Sequence, residues 1–350
     1  MSLDSIVNIT IDTKSMQMAQ AGFGTPLIIA EHSYLKDRVA SFKTLSEVFE
    51  LRDKEKEEKL PDDQKFNKDP LYLTAQAIFA QKPTVRKIKV GKREPKESVL
   101  EALEAISKQD ADGDFYGVLL VSKNPQIDYP ALADAVSTKR LLAGVDLELS
   151  QIDIAKALKA SKGARRIFAI FKDAKDNYPA AAWMGKMLAQ QPGSASWAFK
   201  DLEGIKKSKI STHNEEQLKG ALVNRHIDIN KVGVTLDGKV AKDEYIDIIH
   251  GIDWLHVRMQ ERLLRLFVLN NKIPYTAKGA DLIRCEVLAQ LSDAVTRGLL
   301  AADPAPQVSI PNIEDIDESM RSKRMLPDVC FSARLAGAIH EIEIRGTVTA

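Results

Sequence analysis

The residues best suited to chemistry are few: six histidines and two cysteines among 350 residues. His250 and His256 share one apolar-periodic stretch with Asp247 and Asp253. Imidazoles beside carboxylates could bind zinc or relay protons. Six positions along a helix, however, set the two rings about 120° apart. A metal wants ligands at i, i+3 or i, i+4 plus a third, so this stretch reads as a helix with polar interface groups. Gly22-Phe23-Gly24 is half of a dinucleotide fingerprint, but the third glycine is missing and the motif precedes a strand instead of following one. With Pro26 close behind, it reads as a turn. Cys285 and Cys330 have no CxxC or metal spacing and are expected to be buried free thiols in a reducing compartment. There is no GxSxG, HExxH or Walker loop. The carboxylate pairs Glu57–Glu58 and Asp62–Asp63 fall in the charged stretch 52–69, an expected exposed loop or frayed helix end. No convincing nucleophile–base pair, cofactor site or metal site emerges, and the chain reads as no enzyme.

The composition sets further limits. A net charge of +1 with both signs interspersed argues against a nucleic-acid binder, which is usually strongly basic on one domain. The start, "MSLDSIVNIT", lacks the basic end and apolar core of a signal peptide. No apolar run reaches the roughly 18 residues of a membrane span. Synthesis and folding in a cytoplasm are expected, without membrane insertion.

The elements that would carry these residues alternate. Strands are expected at "TPLIIAEH", "TVRKIKVGK", "DFYGVLLVS", "RLLAGVDLE" and "RRIFAIFKD". Helices are expected at "TLSEVFELRDK", "PLYLTAQAIFAQ", "ESVLEALEAISKQ", "DYPALADAVSTK", "SQIDIAKALKAS" (capped by Ser150) and "YPAAAWMGKMLAQQ". That alternation predicts a layered α/β part. Further on, "NEEQLKGALVNRH" reads as a helix and "KVGVTLDGKVA" as two short strands around Asp237-Gly238. Two long helical stretches over 243–270 and 277–301 are separated by "NNKIPYT". The expected division is an arm at 1–20, an α/β part at 21–203, a C-terminal core at 204–326 and a hairpin with an arm strand at 327–350, with the main boundary near Gly204. The fold class is α/β with a C-terminal α+β domain and extended terminal β-arms.

Both chain ends alternate apolar and polar residues, the period of a strand with one face buried. Val7, Ile9 and Ile11 form one apolar row, and Ile342, Ile344 and Val348 the other. Segments on either side of Gly337 could pair as a hairpin. Arg321, Lys323 and Arg324 cluster behind the acidic "EDIDE". They read either as a solvated segment with local ion pairs or as a basic patch for an acidic partner.

Several stretches together resemble the sheath subunits of contractile phage tails: "GSASWAFKDLEGI", "IDWLHVRMQERLLRLF", "KIPYTAKG", "RSKRMLPDVCFSARLAGAIHEIEIRGTV" and, nearer the start, "TLSEVFEL" with "YLTAQAIFAQKPTVRKIKVGK". The resemblance implies a structural protein that needs no cofactor and assembles with itself as stacked hexameric rings around a tail tube. It implies further partners in tube, baseplate and terminator proteins, a place in the virion tail, and assembly in the host cytoplasm. The extended lattice would be a metastable store that contracts to drive the tube through the host envelope. The two arms would add strands to neighbouring subunits, Val7, Ile9, Ile11, Ile342, Ile344 and Val348 supplying their apolar faces. Phe331, Ala333 and Leu335 would lie on the receiving strand, and Arg321, Lys323 and Arg324 would touch the tube or a neighbour. A bacteriocin or secretion-type sheath fits the same residues. A soluble α/β enzyme with an unrecognised site is the rival from another class, resting on the alternation over 97–190.

Overall fold

The computed structural model describes residues 22–52, 58–59 and 61–347. Ten strands are described: β1 (Pro26–Glu31), β2 (Val39–Phe42), β3 (Ile88–Arg93), β4 (Gly117–Val121), β5 (Leu142–Leu147), β6 (Ile167–Phe171), β7 (Val223–Ile229), β8 (Val232–Leu236), β9 (Gln307–Ser309) and β10 (Cys330–Ser332). The first eight form one sheet in the order β2-β3-β1-β4-β5-β6-β7-β8. From β3 to β7 neighbouring strands run parallel, while β2 and β8 close the two edges antiparallel. The central strands are continuous apolar runs because both of their faces are covered.

Alternate residues feed two cores. Ile28, Leu119, Phe168 and Ile170 face one layer. That layer holds α2 (Pro70–Phe79), α6 (Pro179–Leu188) and a long antiparallel pair, α8 (Ile246–Leu269) and α9 (Ala277–Thr296). Leu27, Ile29, Val118 and Ile167 face the other layer. It holds α3 (Val99–Gln109), α4 (Pro125–Ser137), α5 (Ile152–Ala160) and α7 (Thr212–Gly220). A short α1 (Leu45–Phe49) lies near the β2 edge, and α10 (Glu318–Ser322) follows the long pair. The sheet runs on across residue 204, where the main division was expected, because β7 pairs with β6.

Several local expectations need correction. The helix expected from Asn214 through His226 stops at Gly220, and Val223 opens β7. Leu222 takes φ +58°, which ends the helical run. The Asn224 side chain then donates to the carbonyls of Ala169 and Lys239 and sews the new strand into the sheet. The hairpin of β7 with β8 turns at Asn230-Lys231, whose φ values of +52° and +70° match the twist of the strands. Asp237-Gly238 instead ends β8 and leads toward α8, where the Ile246 N–H bonds to the Gly238 carbonyl. Ser150 does not cap α5. It lies inside a single 3-10 turn, Leu149–Gln151, and Gln151 is the capping residue. Helix α4 starts at Pro125 and keeps Pro130 inside it. Both cysteines are exposed, not buried: Cys285 on an outer face of α9 and Cys330 on a ribbon of only two strands.

One buried polar cluster joins α8 to the sheet. Asp253, on α8, accepts from the Tyr116 hydroxyl at 2.8 Å and is ion-paired with Arg166. Tyr116 and Asp253 are both fully buried. His250, one turn earlier, stacks on Tyr116 at 4.8 Å, and burial pushes its pKa down to about 4. These groups pack α8 against the strand ends.

Candidate assembly site at the C-terminal arm

After α9 the chain forms a ribbon of only two strands. Cys330 pairs with Ser309, Phe331 with Val308 and Ser332 with Gln307, antiparallel. Two strands alone are marginal in water, and three or more with an apolar face are usually needed. Each outer edge of this ribbon has no strand partner among the described residues. Phe331 is 47% exposed beside an open groove of about 690 Å³ that Val308, Ile310, Ala280 and Arg284 also line. Unpaired backbone groups next to an exposed aromatic are the makings of a strand-accepting edge.

The segment that follows does not complete the ribbon. Leu335 bridges Leu300, the Ala336 N–H bonds to the Leu299 carbonyl, and the Ala301 N–H bonds to the Arg334 carbonyl. These tie the chain to the turn after α9. Gly337, at φ +67°, then sends it away. The hairpin anticipated around Gly337 is therefore absent: β10 pairs with β9, and residues 338–347 form no strand. Of the residues expected on a receiving strand, Phe331 is in β10, while Ala333 and Leu335 lie beyond it and are exposed.

The arm itself is extended and bare. Ile342 and Ile344 are 79% and 86% exposed. The Arg345 guanidinium pairs with Glu343 two residues away at 2.6 Å, so the polar side chains share one face and the isoleucines take the other. No backbone hydrogen bond links residues 338–347 to the rest of the described chain. Val7, Ile9, Ile11 and Val348 lie outside the described residues.

The basic group divides. Arg321 is turned inward on its own loop, donating to the carbonyls of Ile316, Ile313 and Glu314 at 3.1, 2.5 and 2.9 Å. Lys323 and Arg324 stay exposed with no ion-pair partner among the described residues. The structure thus separates a local loop clasp from two outward charges.

Two other places have the look of chemistry. Asp110, Asp112 and Asp114 converge closely enough to hold a cation. The centre is filled by the fully buried Lys89, whose ammonium lies 2.5 Å from both Asp110 and Asp114, and Lys87 bridges Asp112 and Asp114. Burial pushes the Asp114 carboxyl up, but the hydrogen bonds from Lys87 and Lys89 outweigh it and hold it below the usual range. A doubly wound sheet also opens a crevice where its strand order reverses, here at the ends of β1 and β4. Four of its charged groups pair within it, Arg93 with Asp128 and Lys123 with Glu31. Asp146, deep in the crevice, accepts the Ala180 N–H at 2.7 Å, and burial pushes its pKa up to about 7. The carboxylate thus occupies the start of α6. Sequence reasoning missed Asp146, Lys89 and the partners of Asp253, Tyr116 and Arg166, since each depends on residues brought together from distant segments.

Comparison with known proteins places these features. Residues 246–304, which are α8, α9 and the turn after them, match the family model described as "E217 tail sheath protein gp31-like, C-terminal domain". No curated protein matches the chain by sequence. Solved structures share its fold, among them these three. The baseplate of the anti-feeding prophage, 6-fold symmetrised, matches at 12% identity and TM-score 0.67 over 98% of this chain and 99% of that one. The helical sheath of the anti-feeding prophage in the contracted state matches at 14% identity and TM-score 0.67 over 98% of each chain. The sheath complex of an extracellular contractile injection system, PVC, also contracted, matches at 14% identity and TM-score 0.66 over 97% of each. The resemblance to contractile tail-sheath proteins is thus carried by sequence in the C-terminal helical pair and by fold along nearly the whole chain.

Proposed function

We propose that this chain is the structural subunit of a contractile sheath and that its ends hold the lattice together. The observation that carries the proposal is the mismatch at the C-terminus: an open two-stranded ribbon on the same subunit as an extended arm that does not pair with it. Strand addition between copies resolves both deficits at once, since main-chain hydrogen bonds join the edge and the isoleucine row lies on apolar surface. The N-terminal row Val7, Ile9, Ile11 is assigned the same role. In this reading subunits stack as hexameric rings around a tube, with baseplate and terminator proteins at the ends. The α/β body moves as a rigid unit while the arms keep the lattice connected during contraction. The energy is stored at assembly, so the role is structural and needs no catalysis. Lys323 and Arg324 are assigned to the tube or a neighbouring subunit.

Deleting residues 1–12, or ending the chain after His340, should leave folded monomers that form no polymers in negative-stain micrographs. Long sheaths from either truncated protein would remove the arms as connectors. Lys323→Glu with Arg324→Glu should weaken assembly around the tube at physiological salt, and unchanged assembly would remove that assignment. The same lattice mechanics serve a phage tail that delivers a genome, a bacteriocin or an extracellular injection system. Capsid genes beside this one would decide for the phage.

A further inference from the structure

All hydrogen bonds and ring contacts between the arm and the rest of the described subunit come from one residue, His340. Ile339 and Ile342 around it are 83% and 79% exposed, yet His340 is half-buried. Its Nε2 lies 3.0 Å from Ser196 Oγ, and its ring meets Phe199 and Tyr245 edge-on at 5.4 and 5.1 Å. Ser196 Oγ already accepts the Ala198 N–H at 3.2 Å. It keeps its own hydrogen and a second lone pair for His340 Nε2, so it can pair with either tautomer of the imidazole.

The notch is built at some cost and on rigid parts. Phe199 sits at φ +59°, a left-handed backbone that a bulky residue rarely adopts. The Thr235 carbonyl and hydroxyl accept the N–H groups of Phe199 and Lys200 at 2.7 and 3.0 Å and hold this turn in place. The ring is thereby aimed outward, half exposed, toward the arm. Tyr245 precedes α8, which Asp253 fastens to the sheet.

We propose that Ser196, Phe199 and Tyr245 form a clip for His340, and that this clip is the fulcrum that fixes the direction in which residues 341–347 leave the subunit. The inference rests on the sheath reading for its purpose, though the clip itself belongs to a single subunit. An arm held at its root searches a smaller volume, so a neighbouring edge meets it at higher effective concentration. His340 is a positioning residue: it forms no part of the strand that pairs.

The test uses the full chain with Cys285→Ser and Cys330→Ser, and a nitroxide attached at Ile339→Cys or Ile344→Cys. In unassembled protein the label at 339 should be immobilised and the label at 344 mobile. His340→Ala, and separately Phe199→Ala, which leaves the arm sequence intact, should free the label at 339. A label at 339 already as mobile as that at 344, or unmoved by both substitutions, overturns the clip. The concentration needed for sheath assembly should also rise on the order of tenfold in His340→Ala. An unchanged threshold beside a freed label overturns the direction-setting role and leaves the sheath reading standing. If the parent protein never polymerises, the sheath reading fails, and the spectra alone decide for or against the clip.

Discussion

The two isoleucines of the arm allow a quantitative prediction. Ile342 and Ile344 are about four-fifths exposed in the free subunit, at 79% and 86%, so shortening them removes almost no contact within it. Ile342→Ala with Ile344→Ala should leave the thermal midpoint of the monomer unchanged. Bound to a neighbouring edge, each isoleucine would be buried. Losing three carbons at about 0.8 kcal/mol each amounts to roughly 2 kcal/mol per position. Two positions then cost about 4 kcal/mol per arm, or about a thousandfold in an association constant. Partial burial in a thin ribbon lowers this, and a rise of one hundred- to a thousandfold in the critical concentration is expected. Sedimentation of polymer across a dilution series measures it. A threshold within threefold of the parent, or an equal loss of monomer stability, would refute the claim that these side chains are kept for another copy.

Asp253→Ala should destabilise the subunit by about 3 kcal/mol, because it strands the Tyr116 hydroxyl and the Arg166 guanidinium. Urea unfolding that shows less than about 1 kcal/mol would mean that the cluster does not fasten α8. Two buried groups give opposing pH dependences. Asp146, with its pKa raised to about 7, keeps its proton in the folded state after the unfolded chain has lost it, so stability falls as pH rises from about 4 to 7, by on the order of 4 kcal/mol. His250, lowered to about 4, stays neutral while the unfolded chain protonates, so stability rises by on the order of 3 kcal/mol between pH 4 and 6.5. These two contributions largely offset each other over that window, so Asp146→Asn should make stability climb more steeply with pH than it does in the parent. A flat profile in the variant would contradict this. Gly163→Ala places a methyl 1.7 Å from the Ala133 carbonyl oxygen, so the packing of α4 on the turn after α5 must open, at about 1–3 kcal/mol. A thermal midpoint equal to the parent's would show that the backbone yields freely there.

What the sequence decided by itself was periodicity. The apolar runs that became β1, β3, β4, β5 and β6, and the 3.6-residue spacing of α3, α8 and α9, were legible because burial of a strand or a helix face needs only local order. The alternation of Ile342 and Ile344 with Glu341, Glu343 and Arg345 was legible too, and with it the resemblance to contractile sheaths. Tertiary structure decided the meeting of distant segments. Leu222 at φ +58° and the Asn224 bonds to Ala169 and Lys239 made a strand where local propensity favoured a helix. The exposure of Cys285 and Cys330 followed from which faces of α9 and β10 were left uncovered. Lys89 among three aspartates, Asp253 between Tyr116 and Arg166, and His340 against Ser196, Phe199 and Tyr245 leave no trace in spacing. Each is a short-range electrostatic or ring contact between residues 21 to 144 positions apart, and only the folded chain brings such residues within reach.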